Sequence, residues 1–311
     1  MCCCNFAITH TRNNRIKAFI ILVGLISVAL AASFSVPAAA QSRRPQEDPP
    51  AQPQSATEPD LINPDRPGFA DGSTVIGAKR FQIESGIQEE FRRSGDEREH
   101  TFFVPMLLRV GLDSHWEFRI EGNTLTRVTT IDSPNTTNHT SGFAPISMGF
   151  KYHIYNSNGD HQISLGTIAR VFPAWGSKEF RMQYATGDIR LAADWNLAPR
   201  LKLSVNPNVG VGRYEDDKGR LFTAGLFAIT MNYLPNRKLN PFIDLGVQSP
   251  EANNGKASAI LDGGIAYIIG QNLQIDASIG TRAHGNTAPH PFLGFGISWR
   301  SKSFTGERRH D

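Results

Sequence analysis

Cysteine is nearly missing from this chain: three in 311 residues, Cys2, Cys3 and Cys4, all at the extreme N-terminus. No thiol follows them, so neither a disulfide framework nor a thiolate metal site is available further along. They also precede the apolar core of the leader, which excludes a lipoprotein cysteine at its end. Beyond residue 40 no apolar run approaches the ~20 residues that a spanning helix needs. Walker, Rossmann and zinc signatures are absent, and so is the G-x-S-x-G elbow of serine hydrolases. His284 and His290 are not spaced as metal ligands. No cofactor and no metal are expected, and the chain reads as a non-enzyme.

An excess of one charge is missing too. The chain carries a formal net charge of +3. Arg12, Arg15 and Lys17 lie in the leader, and removing these three from 32 Lys+Arg leaves 29, equal to the 29 Asp+Glu. A nucleic-acid partner based on charge loses its support.

What is present begins with targeting. Residues 1–40 read as a secretory signal peptide: a basic start, an uncharged apolar core over 18–32, and Ala38-Ala39-Ala40 before Gln41 as the cleavage site. A retained anchor is the alternative, but the small, Pro-broken stretch from Ser33 favours cleavage. Residues 41–63 form a Pro-rich segment with Pro45, Pro49, Pro50, Pro53 and Pro59 and almost no large apolar residue, expected to be a disordered periplasmic linker. It serves as a spacer or as a tether to peptidoglycan.

From Lys79 the period is two. Phe81, Ile83, Ile87 and Phe91 alternate with polar residues, as do Trp116, Phe118 and Ile120, and later Leu273, Ile275, Ala277 and Ile279. The pattern predicts twelve strands over 79–92, 100–110, 115–127, 143–154, 161–172, 182–196, 201–213, 220–233, 240–248, 257–268, 272–282 and 291–300. Short connectors at 111–115, 155–160, 196–200, 233–237 and 269–272 alternate with longer polar ones. The longest, Val128–Gly142, reads as a solvated loop; its Asn135-Thr136-Thr137 and Asn138-His139-Thr140 glycosylation patterns carry no weight in a bacterium.

Short, long, short, long with an even strand count is the rhythm of an up-and-down antiparallel transmembrane β-barrel, both termini in the periplasm. Trp116, Tyr152, Tyr155, Trp175, Tyr184, Trp195, Tyr214, Tyr233, Tyr267 and Trp299 fall near strand ends, as interfacial girdles do. A soluble β-sandwich also alternates, but its dry core would not tolerate the charge on the second face. The expected fold is therefore all-β: residues 79–300 as the barrel of about 12 strands, 64–78 as an N-terminal segment, and 301–311 as a C-terminal tail. The expected compartment is the outer membrane of a Gram-negative bacterium, with outer-membrane lipid and the barrel-assembly machinery as partners. Residues 295–299 or Phe304 could carry the assembly signal.

The chain resembles the MetA-pathway of phenol degradation family of outer-membrane barrels. Asn63-Pro64-Asp65-Arg66-Pro67-Gly68-Phe69 is similar to the family's D-R-P opening, and Gly77 to Gly86 to its G-x-x-Q-x-E-x-G first strand. Leu261-Asp262-Gly263-Gly264 leads to Asn272–Gly280, and Phe295-Gly296-Ile297-Ser298-Trp299-Arg300 resembles the closing strand. The resemblance spans about residues 60–300 and implies transport of small, aromatic or organic-acid compounds.

The polar face supplies lumen-lining candidates: Glu84, Glu90, Arg109, Glu117, Arg119, Glu121, Lys151, Arg170, Asp188, Arg190, Asp194, Lys202, Asp276 and Arg282. Such charges either pair across strands or line a water-filled path for a small-molecule solute. The D-R-P motif suggests that 65–77 folds back into the lumen as a plug, with Asp65 and Arg66 as its anchors and Arg66 meeting a lumenal carboxylate. Two other classes compete: a non-conducting structural or scaffold barrel, and a barrel-surface lipid hydrolase built from Ser147, Ser164, His153 and His161.

Overall fold

In the computed structural model the described residues are 60–133, 136–285 and 288–303. The signal peptide, most of the Pro-rich linker, Asn135 and Phe304 lie outside them.

Period-two patterning becomes one antiparallel sheet of β1 (Arg80–Ser94), β2 (Glu97–Gly111), β3 (Trp116–Ser133), β4 (Thr136–Gly142), β5 (Ser147–Asn156), β6 (Ile163–Phe172), β7 (Thr186–Ala198), β8 (Leu203–Glu215), β9 (Leu221–Tyr233), β10 (Leu239–Ser249), β11 (Ser258–Ile269), β12 (Leu273–His284) and β13 (Phe292–Arg300). Each strand pairs with the next in sequence except that β5 pairs with β3, from Trp116↔Tyr152 to Glu121↔Ser147, and β1 pairs with β13 from Gln82↔Arg300 to Glu90↔Phe292, so the sheet closes on itself. Closure leaves no open edge in the ring. The ring holds twelve strands; β4 stands outside that count, paired along the far half of β3 from Thr126↔Gly142 to Ser133↔Thr136.

Here the sequence reading needs correction. Val128–Gly142 is mostly not an irregular loop but a hairpin, because β3 runs on to Ser133 and returns as β4. Thr, Asn and Ser in that stretch are polar on both faces, and Thr suits a strand that faces water.

The outward positions are apolar and exposed: Ile83 and Ile87 on β1, Phe150 on β5, Ile189 and Leu191 on β7, Val211 on β8, Ile243 on β10, Ile279 on β12 and Phe295 on β13. A soluble protein would bury these side chains; a barrel gives them to lipid. Among the described residues no helix is long and apolar enough to cross a membrane. Trp116, Trp195, Tyr233, Tyr267 and Trp299 stand exposed at strand ends on the short-turn side, and the Tyr152 ring packs tilted against Trp116 there, at 4.6 Å between ring centroids. Tyr214 departs from the girdle expected of it. It is buried inside the ring, where its hydroxyl donates to Asp188 at 2.9 Å.

Candidate functional site: the lumen and its N-terminal hairpin

Residues 60–79 precede β1 and run inside the ring. Asp60 ties the segment to the closing seam, pairing with Arg80 of β1 at 2.5 Å and Arg300 of β13 at 3.1 Å. The Ile62 amide then donates to Gln271 of the β11–β12 turn at 2.7 Å. Further along, the chain reaches the strand interiors and returns, so that Lys79 N donates to Gly111 O at 3.1 Å at the same end. Ile62, Ala70, Asp71, Ser73 and Ile76 are buried.

A backbone that leaves the sheet must find partners for its amides. Side chains of the wall supply them. The Arg66, Ile76, Ser73 and Asp71 amides donate to Glu84 at 2.9 Å, Glu117 at 3.0 Å, Asp194 at 2.9 Å and Asn208 at 3.0 Å. The Phe69 amide donates to Asp244.

The charges form a chain across β1 to β7. Arg109 bonds Glu117 at 2.7 and 3.0 Å and Glu84 at 3.1 Å, and also caps the carbonyls of Asn63 and Thr74 at 3.1 and 3.2 Å. Lys151 and Arg119 converge on Asp65. Arg119 and Arg190 share Asp71, at 3.0 and 3.2 Å. Arg170 joins Asp188 at 2.7 Å to Glu121 at 2.6 Å. Buried charge on this scale is tolerated only when paired and hydrogen-bonded. Here the pairing runs through the hairpin: without Asp65 and Asp71, the cations of β2, β3, β5 and β7 lose shared anions. Burial alone would raise the Asp65 carboxyl, but Arg109, Lys151 and Arg119 outweigh it and hold it well below the usual carboxylate range. Asp71 is likewise lowered, burial being outweighed chiefly by Arg119.

Of the candidates read from the sequence, Glu84, Glu90, Arg109, Glu117, Arg119, Lys151, Arg170, Asp188, Arg190 and Asp276 are buried inward side chains. Glu121 and Asp194 are partly buried beside them, and Arg282 is half-buried toward the far end of β12. Arg66 pairs with Asp276 at 3.1 Å. Lys202 does not line the lumen: it is exposed in the β7–β8 turn, in the left-handed region at φ 57, with its ammonium on Pro235 O at 2.5 Å. The alternation that pointed to it begins only at Leu203, the first residue of β8 and one position past Lys202.

The hydrolase residues do not assemble. Ser147 begins β5 while Ser164 pairs with Asn156 at its other end, and His161 is exposed on Asn196 O at 3.2 Å. His153 bonds Ser73 O at 3.3 Å. Among the described residues no group of three or more His, Cys, Asp or Glu could hold a metal.

Sequence reasoning missed the apolar part of the lumen. Phe172, Tyr214, Ala224 and Leu226 pack as an inward cluster with Phe222 against it. The signal was present, since the stretch LFTAGLFAITMNY is apolar at both parities. Above the hairpin lies a cavity of 220 Å³ lined by Phe69, Phe103, Met182, Phe222 and Phe292 together with Glu90, Arg92 and Gln248.

The family profile of the MetA-pathway of phenol degradation matches residues 64–301. The chain belongs to this family. No curated protein matches it. Among solved structures, an outer membrane channel of Pseudomonas putida F1 superposes with a TM-score of 0.61 at 11% identity, covering 77% of this chain and 100% of that one. The β domain of the Bordetella autotransporter BrkA gives 0.45 at 14% identity, covering 71% and 99%. This family member is thus a closed twelve-stranded antiparallel β-barrel with an apolar outer face.

Proposed function

We propose that this barrel is a channel for small solutes, with residues 64–78 as the plug that narrows it. The observation that carries the reading is the way the hairpin is held. It joins no strand of the wall and is fixed by discrete polar contacts to side chains, with a cavity open beside Phe69. A structural filler needs no such cavity. The likeness in fold to the Pseudomonas putida outer membrane channel supports the same class of activity. The phenylalanines of the cavity, set among Glu90 and Arg92, suit small aromatic compounds, which agrees with the family's description. The linker and plug then lie on the periplasmic side, and the last strand, with Phe295 and Trp299 facing lipid, presents the assembly signal.

Single-channel recording on the purified protein tests this. Discrete conductance that rises when residues 64–72 are deleted is the expected result. A silent bilayer for both proteins, or equal conductance, would overturn the channel or the plug respectively.

A further inference from the structure

The lumen is chemically lopsided. On β2 to β7, Arg109, Arg119, Lys151, Arg170 and Arg190 all have carboxylate partners or, for Lys151, the hairpin's Asp65. The polar atoms left without partners on that wall are Arg119 Nε and Arg190 Nε and, toward the long-loop end, His100 Nε2 and Thr126 Oγ1. On β9 to β11 they are oxygens: Thr230 Oγ1, Asn240 Oδ1, Asp244 Oδ1 and Asp262 Oδ1.

Asp244 and Asp262 stand directly opposite each other in the β10–β11 register, and Thr230 stands opposite Asp244 on β9. Their exposures are 0%, 4% and 6%. Neither aspartate has a cationic side chain within ion-pair distance among the described residues. The Asp244 Oδ2 and Thr230 Oγ1 atoms converge on one point beside Gly68 of the hairpin, 3.0 and 3.1 Å from where a Cβ there would lie. Two adjacent carboxylates without counter-charge cannot both ionise; a proton or a cation must sit between them. Oxygen ligands of this kind suit hard cations.

The position matters as much as the chemistry. Gly246 and Ile260, one inward step beyond Asp244 and Asp262, line the cavity. Toward the other end β8 to β10 carry a chain of amides, Asn206–Asn232 and Asn232–Asn240, the latter at 2.9 Å. Against this wall the hairpin sets no ion pair, only the hydrogen bond from the Phe69 amide to Asp244. A polar stripe therefore runs from the two aspartates and Thr230, just below the cavity, through Asn232 to the short-turn end, beside the buried Phe242 and Ala266.

We propose that this stripe selects small cations over anions, with the opposed carboxylates of Asp244 and Asp262 as its filter. The inference rests on the channel reading above, and it turns organic acids from favoured into disfavoured solutes.

The test is the reversal potential of the purified full chain in planar bilayers under a potassium chloride gradient. Wild type should favour potassium over chloride. Asp244→Asn/Asp262→Asn should conduct with that preference lost, and Asp262→Glu should keep it. Folding of each variant is checked by heat-modifiable migration on gels. A conducting wild type that is non-selective or favours chloride overturns the filter and leaves the channel intact, as does undiminished cation preference in the double variant. Absence of conductance in every folded protein overturns the channel reading and the filter with it.

Discussion

Lys151 donates to both carboxylate oxygens of Asp65, at 3.1 and 2.8 Å. One residue of the N-terminal hairpin is thus gripped by the wall, and Arg119 grips it from the neighbouring strand. The charges of β2, β3 and β5 are therefore neutralised by a segment that is not part of the sheet.

Removing that anion should free the hairpin. Asp65→Asn leaves Arg109, Arg119 and Lys151 short of a partner, and breaking a buried pair on one side costs about 3–5 kcal/mol. The expected outcome is a higher single-channel conductance with unaltered barrel assembly, read by bilayer recording and by circular dichroism. Unchanged conductance would show that Asp65 does not hold the plug.

The same contact sets an acid limit. Docked, Asp65 has its carboxyl well below the 3.8 of a solvated aspartate. A depressed value stabilises the docked form fully above the undocked value and ceases to do so as pH falls toward the docked one. The Asp65 contact should therefore hold from neutral pH down to about 4 and fail only in stronger acid, read as the difference in conductance between wild type and Asp65→Asn across that range. A difference that vanishes near pH 6 would contradict this grip.

Gly166 of β6 faces the hairpin so closely that a Cβ would lie 2.3 Å from the Ser73 carbonyl oxygen. Its own backbone is ordinary strand, so Gly166→Ala spares β6 and displaces the plug. Barrel formation should persist while conductance rises. Wild-type conductance in a folded variant would mean that the hairpin yields elsewhere.

The lipid face makes a separate prediction. Leu191, near the middle of β7 and 43% exposed, should not accept charge. Leu191→Arg costs about 2–4 kcal/mol near the bilayer midplane. Unfolding in urea from lipid vesicles would register it, and an unaffected midpoint would place this residue away from the bilayer core.

The strands were legible because lipid favours apolar residues on the face it touches. Ile275 and Ile279 recur at period two where that face meets hydrocarbon, and polar positions such as Ser85 are few enough to leave the period visible. Inside the ring that rule fails. Tyr214 reads as an interfacial aromatic but packs inward, since the cavity end of the lumen accepts rings where the hairpin does not reach. Lys202 reads as lumenal, yet the turn begins before its parity can matter. Asp65 and Arg66 were visible as a motif, whereas Asp71 was not. Its role depends on Arg119 and Arg190, which only the closed sheet brings together.

Arg66 and Asp276 meet across 210 residues of chain. A contact so distant in sequence forms late, because the intervening loop must close first. The hairpin leaves the ribosome before any strand, yet its partners are complete only when β12 and β13 have joined β1. Its docking therefore reports completed closure: the segment made first is the one locked last, and a barrel with a misregistered seam would leave it unlatched.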